Sequence, residues 1–306
     1  MLDKIEKLII MQKNKWDSTL LANNIMILGA SGWISHYLID SINALHPEQQ
    51  ICGVYRSNKP KQNIKTEKIN NSEYSKIFHL ISEIRPHMVI NFTRGETDTD
   101  FNLHLELVKY LSQKGIYYVY SSSSNATDAI WDNPYTELSV GNGKSDYGKF
   151  KAKCEKALID YSNNYVAFRF AATHGYAPNR ISRTELFLQK LYAEEVVPVN
   201  LGIFQNRTYI SDLTNMMAAL IIKRAQGIIH LGSIDQSEEF EFLSKLASLF
   251  GYIDQVFPVE REENAYVSTL PLKMFDYLDS SYKFQEQDTF DKLIRVPEFQ
   301  KYKKRI

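Results

Sequence analysis

The chain has 306 residues, of which 44% are hydrophobic and 24% charged, a globular composition that excludes disorder as the main state. Its 36 Lys and Arg balance 36 Asp and Glu, so a global basic field for nucleic acid is absent, and its apolar runs are far shorter than the roughly 20 residues of a membrane helix. Cys52 and Cys154, the only cysteines, have neither CxxC nor metal-ligand spacing; two reduced, buried thiols, no metal site and a cytoplasmic location are expected.

Residues 1–24 alternate charged and apolar side chains and lack the apolar core and cleavage site of a secretory signal. They read as an N-terminal extension, an amphipathic helix with a polar stop at Asn23-Asn24. A buried strand starts at Ile25 (IMIL), a turn follows at Gly29-Ala-Ser-Gly32, and then come an amphipathic helix (WISHYLIDSINAL) and a second apolar run (ICGVY). This β-turn-α-β order builds parallel sheets. Residues 58–72 are polar and turn-rich. Ile77, Leu80, Ile81 and Ile84 have helical spacing, Pro86 ends that helix, and MVINF is the next strand. The alternation continues through FNLHLELVKYLSQ, IYYVYS, KFKAKCEKALIDYS and YVAFRF. Residues 25–170 are therefore expected to form a doubly wound α/β domain with a parallel sheet of the Rossmann kind, which binds dinucleotides. Residues 171–306 are expected to form mainly a smaller substrate-binding lobe, partly threaded back into the sheet domain.

The turn Gly29-Ala-Ser31-Gly32-Trp33-Ile34-Ser35 opens a helix directly after a strand. A helix N-terminus has unpaired N–H groups and a positive dipole end, which suit a pyrophosphate. Glycine at 29 and 32 permits the tight turn and close backbone approach. Ser35 stands at a third position that serves helix–strand packing. The second strand ends in Arg56, Ser57 and Lys59, where an acidic residue would accept the ribose hydroxyls of NAD. A guanidinium there pairs with a 2′-phosphate, which favours NADP over NAD.

Tyr147 and Lys151 lie four apart at the start of a helix and share a face. A phenol is a poor base at neutral pH, but a nearby ammonium stabilises the phenolate and makes proton exchange with a substrate oxygen feasible. The strand ending in Ser121-Ser-Ser-Ser124 offers a hydroxyl to the same oxygen.

With these motifs in order, the chain resembles the extended short-chain dehydrogenase/reductases of the NAD-dependent epimerase/dehydratase family, which act on nucleotide sugars. GASGWIS resembles the family's GATGFIG, MVINF its VIHLAA strand, and VYSSSS its strand ending in serines. PYTEL followed by YGKFKAKCE resembles its TE segment, YxxSK and downstream Glu (Glu137 and Glu155 here). FRFAATHGYAPNR and NRTYISDL resemble its R-x-x-x-VYG-P and RxFIHVxD segments. Features after residue 226 resemble the dTDP-4-dehydrorhamnose reductases in particular.

The resemblance implies that Tyr147 is the acid/base, that Lys151 holds the nicotinamide ribose and tunes it, and that Ser123 is the hydroxyl partner, with Ser122 as alternate. It implies a cofactor site of Gly29, Ser31, Gly32, Trp33, Ile34, Arg56, Ser57, Asn70 and Asn91. Ser124, Asn179, Arg180 and Arg207 would face the sugar nucleotide, Arg207 at the diphosphate; for both arginines a surface or inter-lobe salt bridge is the other reading. A homodimer through the YxxxK helix, with Phe150 and Leu158 on its face, is also implied. Departures stand beside these matches. Ser124-Asn125 replaces the Asp-Glu of sugar dehydratases, His174 replaces a tyrosine, Lys149 replaces a Ser or Thr, and Thr93-Arg94-Gly95 replaces small residues. The expected function is hydride transfer at a sugar 4-keto or 4-hydroxyl carbon, by a reductase or an epimerase. The alternative is a non-catalytic, cofactor-binding regulatory subunit of the same fold.

Overall fold

The four apolar residues Ile25–Leu28 form strand β1, and helix α1, Trp33–Leu45, follows one turn later. Then come β2 (Ile51–Tyr55), β3 (Lys65–Lys68), α2 (Tyr74–Ile84), β4 (Met88–Asn91), α3 (Asp98–Gln113), β5 (Tyr117–Ser121), α4 (Asp146–Tyr161) and β6 (Tyr165–Phe170). The structure, a computed structural model, describes residues 24–70, 73–127, 136–139, 141, 143–261, 265–267 and 269–304. The helix expected over residues 1–23 and the start of the PYTEL segment lie outside these. Strand β3 was not expected from the sequence. Its residues, Lys-Thr-Glu-Lys, have no apolar pattern because it is an edge strand that pairs only with β2, Cys52 opposite Lys65.

After β6 the chain leaves the sheet as β7 (Ala172–His174), α5 (Arg183–Tyr192), β8 (Val197–Asn200), β9 (Ile203–Gln205) and β10 (Arg207–Tyr209). It returns through α6 (Ile210–Ile222) to β11 (Gly227–Leu231), which pairs in parallel with β6. The result is a seven-stranded parallel sheet in the order β11-β6-β5-β4-β1-β2-β3. The strand order reverses beside β1, the point where open α/β sheets form their ligand crevice. The last segment supplies β12 (Ser237–Glu238), α7 (Glu239–Leu249), β13 (Val256–Val259), β14 (Ala265–Tyr266) and α8 (Glu286–Leu293).

Alternate strand residues face opposite helix layers, as the period of two requires. Ile25, Ile27, Ile90, Val119 and Phe168 pack against α1 and α6. Met26, Leu28, Val89, Tyr118 and Ala167 pack against α2, α3 and α4. Each such side chain contributes about 1.5–3 kcal/mol by leaving water. Helix α6 is buried along almost its whole length because it lies between α1 and the lobe. Cys52 and Cys154 are free and buried in the second layer.

Phe150 and Leu158 are not on an outer face of α4, and that placement is corrected here. Leu158 is wholly buried, and Phe150 packs on the same internal layer. The exposed side of α4 has Lys149 paired with Asp146, Lys156 with Asp160, and Lys153 with Asp98 of α3, together with the exposed side chains of Ile159 and Tyr161.

The lobe has its own core, in which Phe187, Leu191, Phe242, Phe250, Phe290 and Phe299 meet. Arg207 is buried against this core. Its guanidinium is 1% exposed; Nη1 donates to the carbonyls of Gln205 and Ser237, to the Ser237 hydroxyl (2.9 Å) and to the Glu286 carboxylate (3.2 Å). The face of the guanidinium lies 4.7 Å from the Phe242 ring centroid. The structure thus gives Arg207 a buried salt bridge within the lobe, while its Nη2 is buried without a hydrogen-bond partner. Removing one partner of a buried pair leaves the other charge uncompensated. Glu286→Ala is expected to lower unfolding free energy by about 3 kcal/mol in urea titration; a loss under about 1 kcal/mol, the range of exposed pairs, would contradict the buried pair.

Candidate active site

The loops at the carboxyl ends of β1, β4, β5 and β6 enclose two adjoining hollows. Gly29 turns the chain after β1 with φ +77°, and a Cβ there would stand 3.0 Å from backbone atoms of Phe92 and Thr93. Gly29 and Ala30 N–H both donate to the Val54 carbonyl (3.0 Å each), which ties the turn to β2. Gly32 is the N-cap of α1, and no side chain caps it. The buried Ser35 hydroxyl in the same first turn is without a hydrogen-bond partner. An uncapped helix start, a turn that only glycine fits and an orphaned hydroxyl together fit the pyrophosphate of a dinucleotide.

The first hollow lies between this turn and β2. Gly29, Ser31, Gly32, Arg56 and Ser57 line it, with Ile69 and Ile77 as an apolar floor. Asn70 is not brought there. Its amide pairs with the Glu73 carboxylate (3.3 Å), and its neighbour Ile69 faces the hollow instead.

The second hollow, about 520 Å³, continues from the turn to the start of α4. Trp33, Ile34, Tyr147, Lys151, Asn179 and Arg180 line it. The loop carrying Asn179 and Arg180 is pinned to α1, since Trp33 Nε1 (2.8 Å) and the Tyr37 hydroxyl (3.0 Å) both donate to the Tyr176 carbonyl. The Arg180 guanidinium lies 5.4 Å from the Trp33 ring centroid. A larger hollow of about 720 Å³, around Arg85, Lys114 and Arg224, is at the opposite ends of the strands, away from these groups.

Ser145 caps α4, its hydroxyl accepting from Gly148 N–H (3.0 Å), and this sets the first turn that carries Tyr147. Ser123 is near the Tyr147 phenol, its hydroxyl donating to the Asn125 side-chain oxygen (3.3 Å) and accepting from Asn125 N–H (3.2 Å). Burial raises the pKa of the phenol, while Ser123 and the Arg94 guanidinium pull it back. Lys151, one turn on, is 2% exposed. Its ammonium donates to the Ser121 carbonyl (2.6 Å) and the Tyr120 hydroxyl (3.2 Å) and stands 5.6 Å from the Tyr147 ring centroid. Burial lowers its pKa to about 8. A phenol, a hydroxyl and a buried ammonium thus meet at one end of the cavity, an arrangement suited to proton transfer at a substrate oxygen.

Ser122 and Ser124 point elsewhere. Ser122 donates to Glu155 (2.5 Å), and Ser124 is buried at the start of a 3₁₀ turn, its carbonyl accepting from Thr127. Glu155 in turn holds Arg169 through bonds of 2.6 and 2.8 Å, both side chains out of water. Arg169 is the first arginine of the FRFAATHGYAPNR segment, to which the sequence assigns no role, and Glu155 is the downstream Glu of the resemblance. Asn91 is a buttress and does not line either hollow. Its side chain accepts from Thr93 N and Oγ1 and donates to the Tyr118 hydroxyl (2.8 Å), which meets His104, whose other ring nitrogen meets the Cys154 carbonyl. His174 packs on Phe242 and Thr184, outside the cavity. Among the described residues no cluster of His, Cys, Asp or Glu could hold a metal, and no helix is long and apolar enough to cross a membrane.

The sheet order and the glycine turn at the switch point define a Rossmann-like α/β protein, in which Tyr147 and Lys151 line the hollow beside that turn. The chain belongs to the RmlD substrate binding domain family, whose profile matches residues 23–273. It is similar to methionine adenosyltransferase 2 subunit beta of Rattus norvegicus, with 22% identity over 250 residues, 75% of this chain and 72% of that one. Its fold is similar to that of dTDP-4-dehydrorhamnose reductase from Bacillus anthracis, solved in complex with NADP (TM-score 0.71, 19% identity, 89% of this chain and 98% of that one). It is also similar to dTDP-glucose 4,6-dehydratase from Bacillus anthracis in complex with NAD (TM-score 0.78, 14% identity, 90% and 97%).

The buried ammonium of Lys151 has a cost to the fold that can be measured. Its pKa is lower folded, about 8, than its ordinary value of 10.5. The unfolded chain therefore binds more protons between these values, and the group's contribution to stability falls as pH drops from 10.5 to 8 and is level below. Lys151→Met is expected to be more stable than the parent at pH 7, by about 1–3 kcal/mol, with the gain shrinking as pH rises past 8. A variant no more stable at pH 7, or a difference that ignores pH, would contradict the burial cost.

Proposed function

We propose that the chain is an NADP-dependent oxidoreductase of a nucleotide-linked sugar, acting at a 4-keto or 4-hydroxyl carbon. The observation that carries this reading is that the two hollows adjoin and share the glycine turn, one lined by Arg56 and the other by Tyr147 and Lys151. NADP, when bound, supplies or accepts the hydride. Gly29, Ser31, Gly32 and the start of α1 hold its pyrophosphate, and Arg56 and Ser57 its 2′-phosphate. Lys151 holds the nicotinamide ribose. Tyr147 gives its phenolic proton to the carbonyl oxygen in reduction and takes it back in oxidation. Ser123 donates to the same oxygen, and the Lys151 charge steadies the phenolate left behind. Asn179 and Arg180, on the wall facing Tyr147, meet the sugar nucleotide.

A second reading, a regulatory subunit that keeps the site, is supported by two observations. One relative is named as a subunit of an adenosyltransferase. Arg207, the expected diphosphate ligand, is buried and paired with Glu286 within the lobe.

Two measurements separate these readings and test the cofactor. Tyr147→Phe keeps the ring and removes the proton; NADPH oxidation with a 4-keto sugar nucleotide is expected to fall by about 10²–10⁴ while cofactor affinity holds. Undiminished turnover in this variant would refute the mechanism, and a parent protein that binds NADPH but turns over no sugar nucleotide would favour the regulatory reading. Arg56→Asp is expected to weaken NADPH by about tenfold or more and NADH much less, since only NADPH has the 2′-phosphate. Equal losses in calorimetric titration would remove the assignment to NADP.

A further inference from the structure

Five residues line both hollows: Ser31 and Gly32 of the phosphate turn and, from the loop after β4, Phe92, Thr93 and Arg94. Arg94 is the one cation among them, and no Asp or Glu lines either hollow. Its side chain is 78% exposed, and its guanidinium is held by Glu96 at 2.7 Å, a carboxylate that is itself 48% exposed and lies outside both hollows. The base of this arm is fixed. Thr93 is bound to Asn91 through its N–H (3.1 Å) and hydroxyl (2.7 Å). Asp100 accepts from the N–H groups of Glu96 (3.2 Å) and Thr97 (3.1 Å). A Cβ on Gly95 would meet Asp100 at 2.7 Å and Phe150 at 2.9 Å, so the loop lies tight against its neighbours.

We propose that Arg94 is a swinging cation that leaves Glu96 to hold the pyrophosphate of the bound dinucleotide, so that the Arg94–Glu96 pair sets how tightly the cofactor is retained. The proposal rests on the dinucleotide reading above and adds a residue to it. Arg94 stands opposite the turn that faces the phosphates, at the junction of the adenosine side and the reaction side. Arg56 and Arg180 each line only one hollow and so serve the two ends. An exposed ion pair contributes little, so exchange of one carboxylate for a pyrophosphate of higher charge favours the cofactor. Glu96 then acts as a competitor that weakens binding and speeds release. The same arm lies 5.7 Å from the Tyr147 ring centroid, so its swing is coupled to the field at the phenol.

The test is calorimetric titration of the full chain with NADPH, NADH and adenosine 2′-monophosphate, which has no pyrophosphate. Arg94→Ala is expected to raise the Kd of NADPH and NADH by the same factor, about tenfold, and to leave the monophosphate unchanged. Glu96→Gln is expected to act in the opposite direction, tightening both dinucleotides about two- to threefold. Arg94→Ala with parental affinity for both dinucleotides would overturn the proposal. So would Glu96→Gln weakening them as Arg94→Ala does, the pattern of a structural pair. A parent protein that binds neither dinucleotide would overturn the proposal together with the reading beneath it.

Discussion

The buried ion pair between Glu155 and Arg169 holds the site in register. Glu155 lies on the helix that carries Tyr147 and Lys151, and Arg169 lies on β6. Between them the carboxylate accepts from Ser122, at the end of β5 and next to Ser123. Three elements of distant sequence are thereby fixed at one corner. Neither charge reaches water, so each depends on the other. Arg169 also donates to the Ser139 carbonyl, and Glu137 accepts from backbone N–H groups of His230, Leu272 and Lys273. The loop after β5 is therefore fastened to β11 and to the segment that follows it. Removal of either charge would loosen the hydroxyl, the phenol and the ammonium together.

A second chain of buried polar groups runs through the other helix layer. It passes from Thr93 through Asn91, Tyr118 and His104 to the Cys154 carbonyl on α4. Burial keeps His104 neutral, with its pKa lowered to about 3. The chain joins the Arg94 loop to the helix of Tyr147 and Lys151, so both walls of the cavity share one foundation. Such networks specify geometry when every member is satisfied.

Most of the sheet was legible because each strand from β1 to β6, except β3, is a short apolar run beside a helix with apolar residues at a 3.6 period. Strand β3 was hidden because an edge strand of Lys, Thr and Glu buries nothing that composition registers. Within the site, Gly29, Gly32, Tyr147, Lys151 and Ser123 were legible since local spacing defines them. Long-range partners decided the rest. Arg207 has its partner in Glu286, 79 residues on, and the sequence alone left the diphosphate and the salt bridge as equal readings. Asn91 was read as lining the cofactor because it ends a strand there, but its amide is taken up by Tyr118 and Thr93. Asn70 was read by position alone, and its amide turns to Glu73. The Arg94 loop was visible as a departure from small residues, yet only the structure shows that it spans both hollows.

The central claim is that hydride passes to a sugar carbon at the Tyr147 end of the cavity. It is tested most directly by single turnover with NADPH deuterated at the transferable position of nicotinamide C4, followed by NMR of the sugar product. With a 4-keto sugar nucleotide, deuterium at the newly reduced ring carbon is the expected result. Binding of the cofactor with no deuterium delivered to any 4-keto sugar nucleotide would contradict it.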